Sequence, residues 1–257
     1  MKTIILCLVM FISSLGFSLN AQNAREISNA AMDVMRFGSM EMKATLKIHD
    51  AKGRERVRQL ETYSRAFGET TKTIIKFTSP ADVRGTAMLI VDYNDKADDM
   101  WIHLPALRKT RRIVSGERGK NFMGSEFTNA DMSLPNMDDF VYKTLGEEEY
   151  DGHVCWKIQS SCKTEDLEDE NGYKRKVSWV DKENYLCYKV EFYDLEDEIF
   201  KTQLIKEFQK QSNGKYFAYY MEMYNEQSGR RSVMTTDSFM LGSDLEEDSF
   251  SPNTLEK

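Results

Sequence analysis

The sequence predicts a mainly β protein in which one antiparallel sheet follows a single amphipathic helix. Three observations lead to this prediction. Residues Ser39–Ile48 alternate strictly between apolar and polar side chains, similar short stretches recur almost to the end of the chain, and polar or glycine-bearing turns separate them. Strands joined by short turns form hairpins, and a chain of hairpins builds a large, curled antiparallel sheet without crossover helices.

The first 21 residues have the layout of a signal peptide. Lys2 supplies a positive charge, Ile4–Phe17 form an apolar run, and Ala21 is the expected last residue before cleavage. The apolar run is shorter than the ~20 residues that a membrane-spanning helix needs. We therefore expect residues 1–21 to be removed and residues 22–257 to form a single secreted domain.

The charge of the chain argues against nucleic acid as a partner. The sequence contains 35 basic and 42 acidic residues, and loss of Lys2 with the signal peptide leaves 34 against 42, a net charge of −8. Extended binding to phosphates needs a basic face.

Of the cysteines that remain, Cys155 and Cys162 flank one predicted strand and lie too far apart to bridge, so free thiols are favoured over a disulfide with Cys187.

The helix is predicted at Arg25–Met35, where apolar residues recur at helical spacing, and Gly38 is expected to end it. Ser39–Ile48 is then the first of thirteen predicted strands. The other twelve are Arg54–Ser64, Lys72–Phe77, Thr86–Tyr93, Asp99–Leu104, Arg108–Val114, Tyr142–Glu148, Val154–Ser160, Lys174–Val180, Tyr185–Tyr193, Ile199–Phe208, Tyr216–Tyr224 and Ser232–Phe239.

Two stretches interrupt the strand pattern. Between Gly116 and Met137 the alternation fails, a short helix is possible at Asn129–Leu134, and a segment of this length inside a sheet is expected to do more than connect two strands. Glu165–Asn171 is strongly acidic and is interpreted as a solvated loop.

Sequence motifs for catalysis or metal binding are missing. The three histidines follow no metal-ligand spacing, and phosphate-binding glycine loops and nucleophile motifs do not occur, so we expect no metal, no cofactor and no enzymatic activity. The acidic cluster that starts at Asp92 and ends at Asp99 superficially suggests calcium. It lacks the glycine and closing glutamate of an EF-hand, so a solvated hairpin turn is the favoured interpretation.

The composition is rich in adaptable apolar side chains, with 15 methionines, 14 phenylalanines and 12 tyrosines. Met40 and Met42 lie two residues apart on one predicted strand face, as do Met221 and Met223. Methionine is flexible and polarisable, which suits a cavity for ligands of variable shape. An ordinary packed core explains the same pattern, and both interpretations stay open.

A run of basic residues at Arg108–Arg112 is unusual in so acidic a chain. Arg108, Arg111 and Arg112 are candidates for contact with an anionic lipid headgroup or an acidic partner surface. The alternative is a solvated strand face whose arginines pair with the acids around Asp95–Asp99.

Three blocks of sequence resemble the LolA-like family of outer-membrane lipoprotein-sorting proteins. They are the R-G-T-A-M-L-I stretch at Arg84–Ile90, the D-D-M-W-I-H-L-P-A-L-R-K-T-R-R-I run at Asp98–Ile113 and F-M-G-S-E-F-T-N-A-D-M at Phe122–Met132. The resemblance implies an incomplete, strongly curved antiparallel β-barrel, with an N-terminal helix and a short helical lid or plug at its open side. It also implies a periplasmic protein, without enzymatic activity, whose hydrophobic cavity shields acyl chains during transit.

On this basis we expect a monomeric carrier that binds the acyl chains of lipids or lipoproteins and delivers them toward the outer membrane, with an envelope transporter or receptor as a possible partner. A different class of function, an envelope scaffold or accessory subunit that docks on a membrane exporter, is the alternative. The residues expected to line the cavity are Met40, Met42, Leu46, Ile75, Phe77, Trp101, Met221 and Met223. The residues Phe122, Met123, Gly124 and Ser125 are expected in the lid loop.

Overall fold

The computed structural model describes residues 23–93 and 96–256, so the predicted signal peptide lies outside the described residues. Within these ranges the chain forms a single antiparallel sheet of thirteen strands, which confirms the predicted fold class. The strands are β1 (Ser39–His49), β2 (Glu55–Phe67), β3 (Thr70–Ser79), β4 (Ala87–Tyr93), β5 (Asp99–Leu104), β6 (Lys109–Arg112), β7 (Phe140–Tyr150), β8 (His153–Cys162), β9 (Arg175–Asp181), β10 (Cys187–Tyr193), β11 (Ile199–Lys210), β12 (Tyr216–Asn225) and β13 (Arg231–Leu241).

The sheet is curled but not closed into a barrel. Its strand order is β6-β5-β4-β3-β2-β1-β13-β12-β11-β10-β9-β8-β7, so β1 and β13 pair near the middle and β6 and β7 are the two edges. All thirteen predicted strands are present within a few residues of their predicted ends, because alternation marks a half-buried strand well and its exact ends poorly.

Residues 23–33 are helical and form helix α1, which packs Ala24 and Ile27 into the main core. The helix ends at Asp33, two residues before the predicted end at Met35. The carbonyls of Asp33 and Val34 accept hydrogen bonds from Lys215 Nζ (2.7 Å) and Tyr216 N (2.8 Å), so the start of β12 takes the acceptors that a longer helix would use. Among the described residues, no helix is long and apolar enough to cross a membrane.

The main hydrophobic core lies on the concave face of the sheet. It joins α1 and inward-facing residues from both halves of the sheet, including the fully buried Leu46, Ile48 and Phe77. A second cluster lies on the opposite, convex face, where Phe250 and Leu255 of the C-terminal segment pack on Ala87, Leu89 and Val91 of β4. Strand β4 is therefore buried on both faces.

The chain crosses the concave face between its two edge strands. Residues 113–139 connect β6 to β7 and contain the short helix α2 (Ser115–Arg118), and they bury Phe122 and Phe127. The rings of Phe122 and Phe77 lie 5.6 Å apart. The helix expected at Asn129–Leu134 is only a 3₁₀ turn at Ala130–Met132.

Residues Glu165–Asn171 form helix α3, which corrects the prediction of a solvated loop. Thr164 caps the helix by accepting a hydrogen bond from Leu167 N, and acidic side chains fill the first turn, where the helix dipole favours them. Gly172 ends the helix at φ 76°. The sequence carried these capping signals, but apolar periodicity is weak in so polar a segment.

Helices α2 and α3 meet where two glycine backbones approach each other. A Cβ at Gly119 would lie 2.7 Å from Gly172 N and 2.8 Å from Asp169 O, closer than real Cβ atoms come. A Cβ at Gly116, in the same helix turn, would meet nothing within 4 Å.

We expect Gly119→Ala to lower the free energy of unfolding by about 1–3 kcal/mol, because the added methyl group would meet backbone that cannot move away alone. The measurement is urea denaturation followed by tryptophan fluorescence. Gly116→Ala is the matched control and should be neutral or slightly stabilising, since alanine favours helix. Equal effects of the two substitutions would contradict the close α2–α3 contact.

Candidate functional site

The concave face contains a cavity of about 300 Å³. This volume lies at the lower end of the range for ligand pockets, about 300–1,000 Å³. The cavity lies between strands β1–β4 and β12–β13 on one side and two covering segments on the other. The covering segments are Met35–Phe37, which follow α1, and Met132–Leu134 of the crossing segment. We call these two segments the roof.

Strand register builds one apolar wall of the cavity. Met40 and Met42 point inward from β1, Met221 pairs with Met234 across β12 and β13, and Ile75 contributes from β3. Four flexible thioether side chains thus line one space, which can change shape without breaking backbone hydrogen bonds.

The β2–β4 part of the sheet also carries polar residues, which we call the polar wall and which the sequence analysis did not identify as part of a site; Thr62 and Ser64 lie directly across from Met42 and Met40 in the strand register. Its members are hydroxyl-bearing residues of β2 and β3 and one carboxyl group at the end of β4, namely Thr62, Ser64, Thr71, Thr73 and Asp92. Register explains the grouping, because Ser64 pairs with Thr73 and Thr71 pairs with Asp92. The available signal was that serine and threonine occupy the inward positions of two alternating strands, where apolar residues are usual.

Asp92 is a partly buried residue of β4 that lines the cavity rather than part of a solvated turn, which corrects the interpretation of the acidic cluster for this residue. Burial, with a contribution from the nearby Asp98 charge, raises the Asp92 pKa to about 7. The Leu134 N–H of the roof, which donates a hydrogen bond to the carboxyl group, lowers the Asp92 pKa. The charges of Arg118 and Arg36 lower it as well. Asp92 Oδ1 is buried without a hydrogen-bond partner among the described residues.

The structure brings four of the eight residues expected in the cavity together at its surface: Met40, Met42, Ile75 and Met221. Leu46, Phe77 and Met223 face the same concave side, but they are fully buried in the main core. Trp101 lies elsewhere, on the convex face, where it packs against the cluster that contains Phe250 and Leu255.

The position of Trp101 follows from the alternation in β5. Met100 and Ile102 belong to the concave core, so the residue between them must point to the other face. Apolarity alone suggested that Trp101 was internal. The sheet buries apolar side chains on both faces at this edge because the C-terminal segment covers the convex side.

The loop residues expected to form a lid belong, in this structure, to a segment that is packed into the concave side of the sheet. We call this segment, Phe122–Glu126, the plug. Phe122 and Ser125 are buried, and Arg58 of β2 donates a hydrogen bond to Met123 O. Met123 occupies the left-handed region at φ 49°, and Arg230 donates to Gly124 O at 3.2 Å. The lid function of these residues stays a prediction, and opening would have to expose Phe122.

Glu126 anchors the plug to three strands. Its backbone N–H donates to Ser232 Oγ (2.9 Å), its carbonyl accepts from Lys201 Nζ (2.8 Å), and its side chain accepts from Asn225 Nδ2 (2.9 Å). Arg230 Nε lies 2.8 Å from Glu126 Oε1 and compensates the buried charge, although it does not have hydrogen-bonding geometry. Burial lowers the pKa of Lys201. Substituting one partner in such a network would leave the other charge buried without a partner.

The basic run lies on the edge strand β6 and engages acidic neighbours. Arg112 pairs with Asp99, and Arg111 forms a two-contact pair with Glu117 at 2.6 and 3.1 Å. Arg108 is exposed in a left-handed turn at φ 47°. The cross-strand pairing considered for this run is therefore present for Arg112, and contact of the run with a headgroup or partner stays a prediction.

A second, smaller cavity of about 150 Å³ lies between α1 and strands β7–β10. Phe140, Tyr142, Val180 and Val190 contribute apolar walls, and Lys176 brings a cationic group whose pKa is lowered by burial. Within residues 23–93 and 96–256, no group of three or more histidine, cysteine, aspartate or glutamate side chains is arranged to hold a metal ion.

A curled antiparallel sheet whose concave face carries α1, a plug and an apolar cavity defines the class of LolA-like lipoprotein-sorting folds, and solved structures confirm the resemblance. A domain from Vibrio parahaemolyticus, described as an outer membrane lipoprotein-sorting protein, is 28% identical, with a TM-score of 0.86 over 93% of this chain and 100% of that one. A DUF1329 family protein from Desulfovibrio piger is 27% identical, with a TM-score of 0.84 over 92% and 99% of the two chains. A LolA superfamily protein from Nitrosomonas europaea shares the fold at 20% identity, with a TM-score of 0.70 over 89% and 97%.

A family model described as an uncharacterized protein matches residues 69–257, well over half of the chain, and the chain belongs to that family. No curated protein sequence matches the chain.

We expect Asp92→Asn to change how stability depends on pH. Because the folded pKa lies above that of the unfolded chain, the native state binds the extra proton between about pH 4 and 7, and the wild type loses stability as pH rises through that window. The free energy of unfolding of the wild type should therefore fall by about 2–3 kcal/mol more than that of the variant when the pH is raised from 5 to 8, at about 1.4 kcal/mol per pKa unit.

Urea denaturation at both pH values measures this difference, with the exposed Asp244→Asn as the control. A wild-type to Asp92→Asn difference that is the same at pH 5 and pH 8 would show that Asp92 is not a strained buried acid.

Proposed function

We propose that this protein is a periplasmic carrier that binds acyl chains of lipids or lipoproteins in the concave cavity and transfers them toward the outer membrane. The observation that carries the proposal is the methionine-walled cavity of about 300 Å³, held between sheet and roof. Its occurrence in a fold shared along 93% of the chain with an outer membrane lipoprotein-sorting domain supports the same proposal.

The driving force is burial of hydrocarbon. Each methylene removed from water contributes roughly 0.8 kcal/mol, so even part of an acyl chain supplies useful affinity. The methionine wall suits chains of different length and branching, because thioether side chains repack at low cost. Met40, Met42, Ile75 and Met221 are proposed as the contact residues.

A cavity of this size holds only part of a long acyl chain, so loading involves movement of the roof. The roof is the natural moving part, because Met132–Leu134 pack through side chains and a few hydrogen bonds rather than through a strand ladder. The plug, Phe122–Glu126, is tied to β2, β13 and the β12–β13 turn by Arg58, Ser232 and Arg230. We therefore assign the first opening to the roof, and the lid function of Phe122–Ser125 stays a prediction.

Other parts of the proposal concern cellular context. The protein acts as one domain after removal of residues 1–21, and Arg108 with the neighbouring arginines contacts an anionic headgroup or the acidic surface of an envelope partner. Ion pairing of Arg111 and Arg112 leaves such a contact weakly bound and sensitive to salt.

We expect Met221→Glu to abolish binding of a fluorescent acyl probe, since a carboxylate would have to be desolvated in the apolar wall. Displacement of the probe by lauroyl lipids, with native mass spectrometry of the loaded protein, measures the effect. Met240→Glu is the matched control, because Met240 is 55% exposed on the neighbouring strand β13.

Retained binding in a folded Met221→Glu variant would exclude the cavity as the acyl site. A wild-type protein that takes up no acyl probe would exclude the carrier function and favour the scaffold alternative.

A further inference from the structure

The cavity has two chemically distinct walls, and only the methionine wall is explained by binding of hydrocarbon. The polar wall carries hydroxyl groups from β2 and β3 next to the carboxyl group of Asp92. Such groups weaken an apolar site unless they bind something, because a buried polar group without a partner costs about 1–3 kcal/mol.

Two oxygen atoms of this wall are buried and without a hydrogen-bond partner among the described residues. They are Thr62 Oγ1 and Asp92 Oδ1, and Thr62 is only 3% exposed. The neighbouring hydroxyls differ, since Ser64 Oγ and Thr73 Oγ1 bind each other at 2.9 Å. The two atoms lie at different places, since Thr62 pairs with Ile75 whereas Asp92 pairs with Thr71, four residues away on β3. A carboxylate oxygen can only accept hydrogen bonds.

The charges around the cavity decide which ligand group fits. Asp92 and Asp131 both line the cavity, and Asp98 lies close enough to raise the Asp92 pKa. Arg118 opposes this effect but pairs with Asp98 at 3.2 Å, and Arg36, which lines the cavity, lies 3.7 Å from Asp33. The cationic groups near Asp92 are thus already paired with acids, which disfavours an anionic ligand group at this wall.

Resting on the proposed function, we infer that the Asp92 end of the polar wall is a headgroup subsite for amphiphiles whose polar end donates hydrogen bonds, such as a hydroxyl or an ammonium group. The alkyl part of the same ligand lies against Met40, Met42 and Met221. Asp92 accepts a hydrogen bond from the headgroup, whereas Thr62 lies beside Met42 and Ile75, along the alkyl part. An acyl chain that ends in a free carboxylate is disfavoured, because it would place a second anion beside Asp92.

The test compares three probes with the same alkyl chain: dodecylamine, dodecanol and dodecanoate. Their dissociation constants are measured below their micellar concentrations by displacement of a fluorescent alkyl probe at pH 8. We expect the amine and the alcohol to bind about tenfold or more tightly than the carboxylate, since a hydrogen bond to a charged group is worth at least that factor.

Substitutions test where the headgroup lies. Asp92→Asn should remove most of the preference for the amine and the alcohol over the carboxylate, whereas Thr62→Val should leave this preference in place, because Thr62 lies beside the alkyl part of the ligand. Asp244→Asn is the control for loss of a carboxylate elsewhere on the surface. Lowering the pH from 8 to 6 should reduce the amine preference in wild type and leave it unchanged in Asp92→Asn, because Asp92 takes up a proton in this range.

The outcomes distinguish the two proposals. If no dodecyl probe binds wild type, the carrier function itself fails. If all three probes bind equally well, and Met221→Glu abolishes binding of each, the cavity is an acyl site whose polar wall does not read the headgroup, and the present inference is overturned. A wild-type preference that survives unchanged in Asp92→Asn would overturn it as well.

Discussion

The constraint on which the rest of this structure depends is that the curled sheet does not close. An open sheet has two unpaired edges and a concave apolar face that must be shielded from water. One connection covers the concave face, because residues 113–139 run across it from edge strand β6 to edge strand β7. Phe122 and Phe127 fill the core, and Glu126 fixes the crossing to the central strands through Lys201, Asn225 and Ser232.

The cavity follows from this way of covering the sheet. The roof segments Met35–Phe37 and Met132–Leu134 cover a part of the concave face that the plug does not reach, and the cavity lies beneath them. A closed barrel would hold its interior in a fixed shape. Here the apolar space is bounded on one side by a hydrogen-bonded sheet and on the other by segments held mainly through side chains. The sheet side of the site is therefore the rigid side, and the roof side is the adaptable one.

The partly buried Asp92 distinguishes this cavity from an ordinary apolar core. A carboxyl group that lies at the end of β4 beside Thr71, with its pKa raised to about 7 by burial, is costly for stability. It also links the roof to the sheet, since its hydrogen bond with the Leu134 N–H joins Leu134 to β4.

The sequence by itself determined the thirteen strands, the N-terminal helix, the curled antiparallel fold and the concave side of β1, because period-two alternation is a local signal that needs no knowledge of distant residues. It also identified Met40, Met42, Ile75 and Met221 as inward-facing. It could not separate cavity from core for Leu46, Phe77 and Met223, since packing between distant segments decides where space remains. Only the tertiary structure placed Trp101 under the C-terminal segment, buried Asp92 and assembled the polar wall, because each depends on which remote segment covers a given face of the sheet.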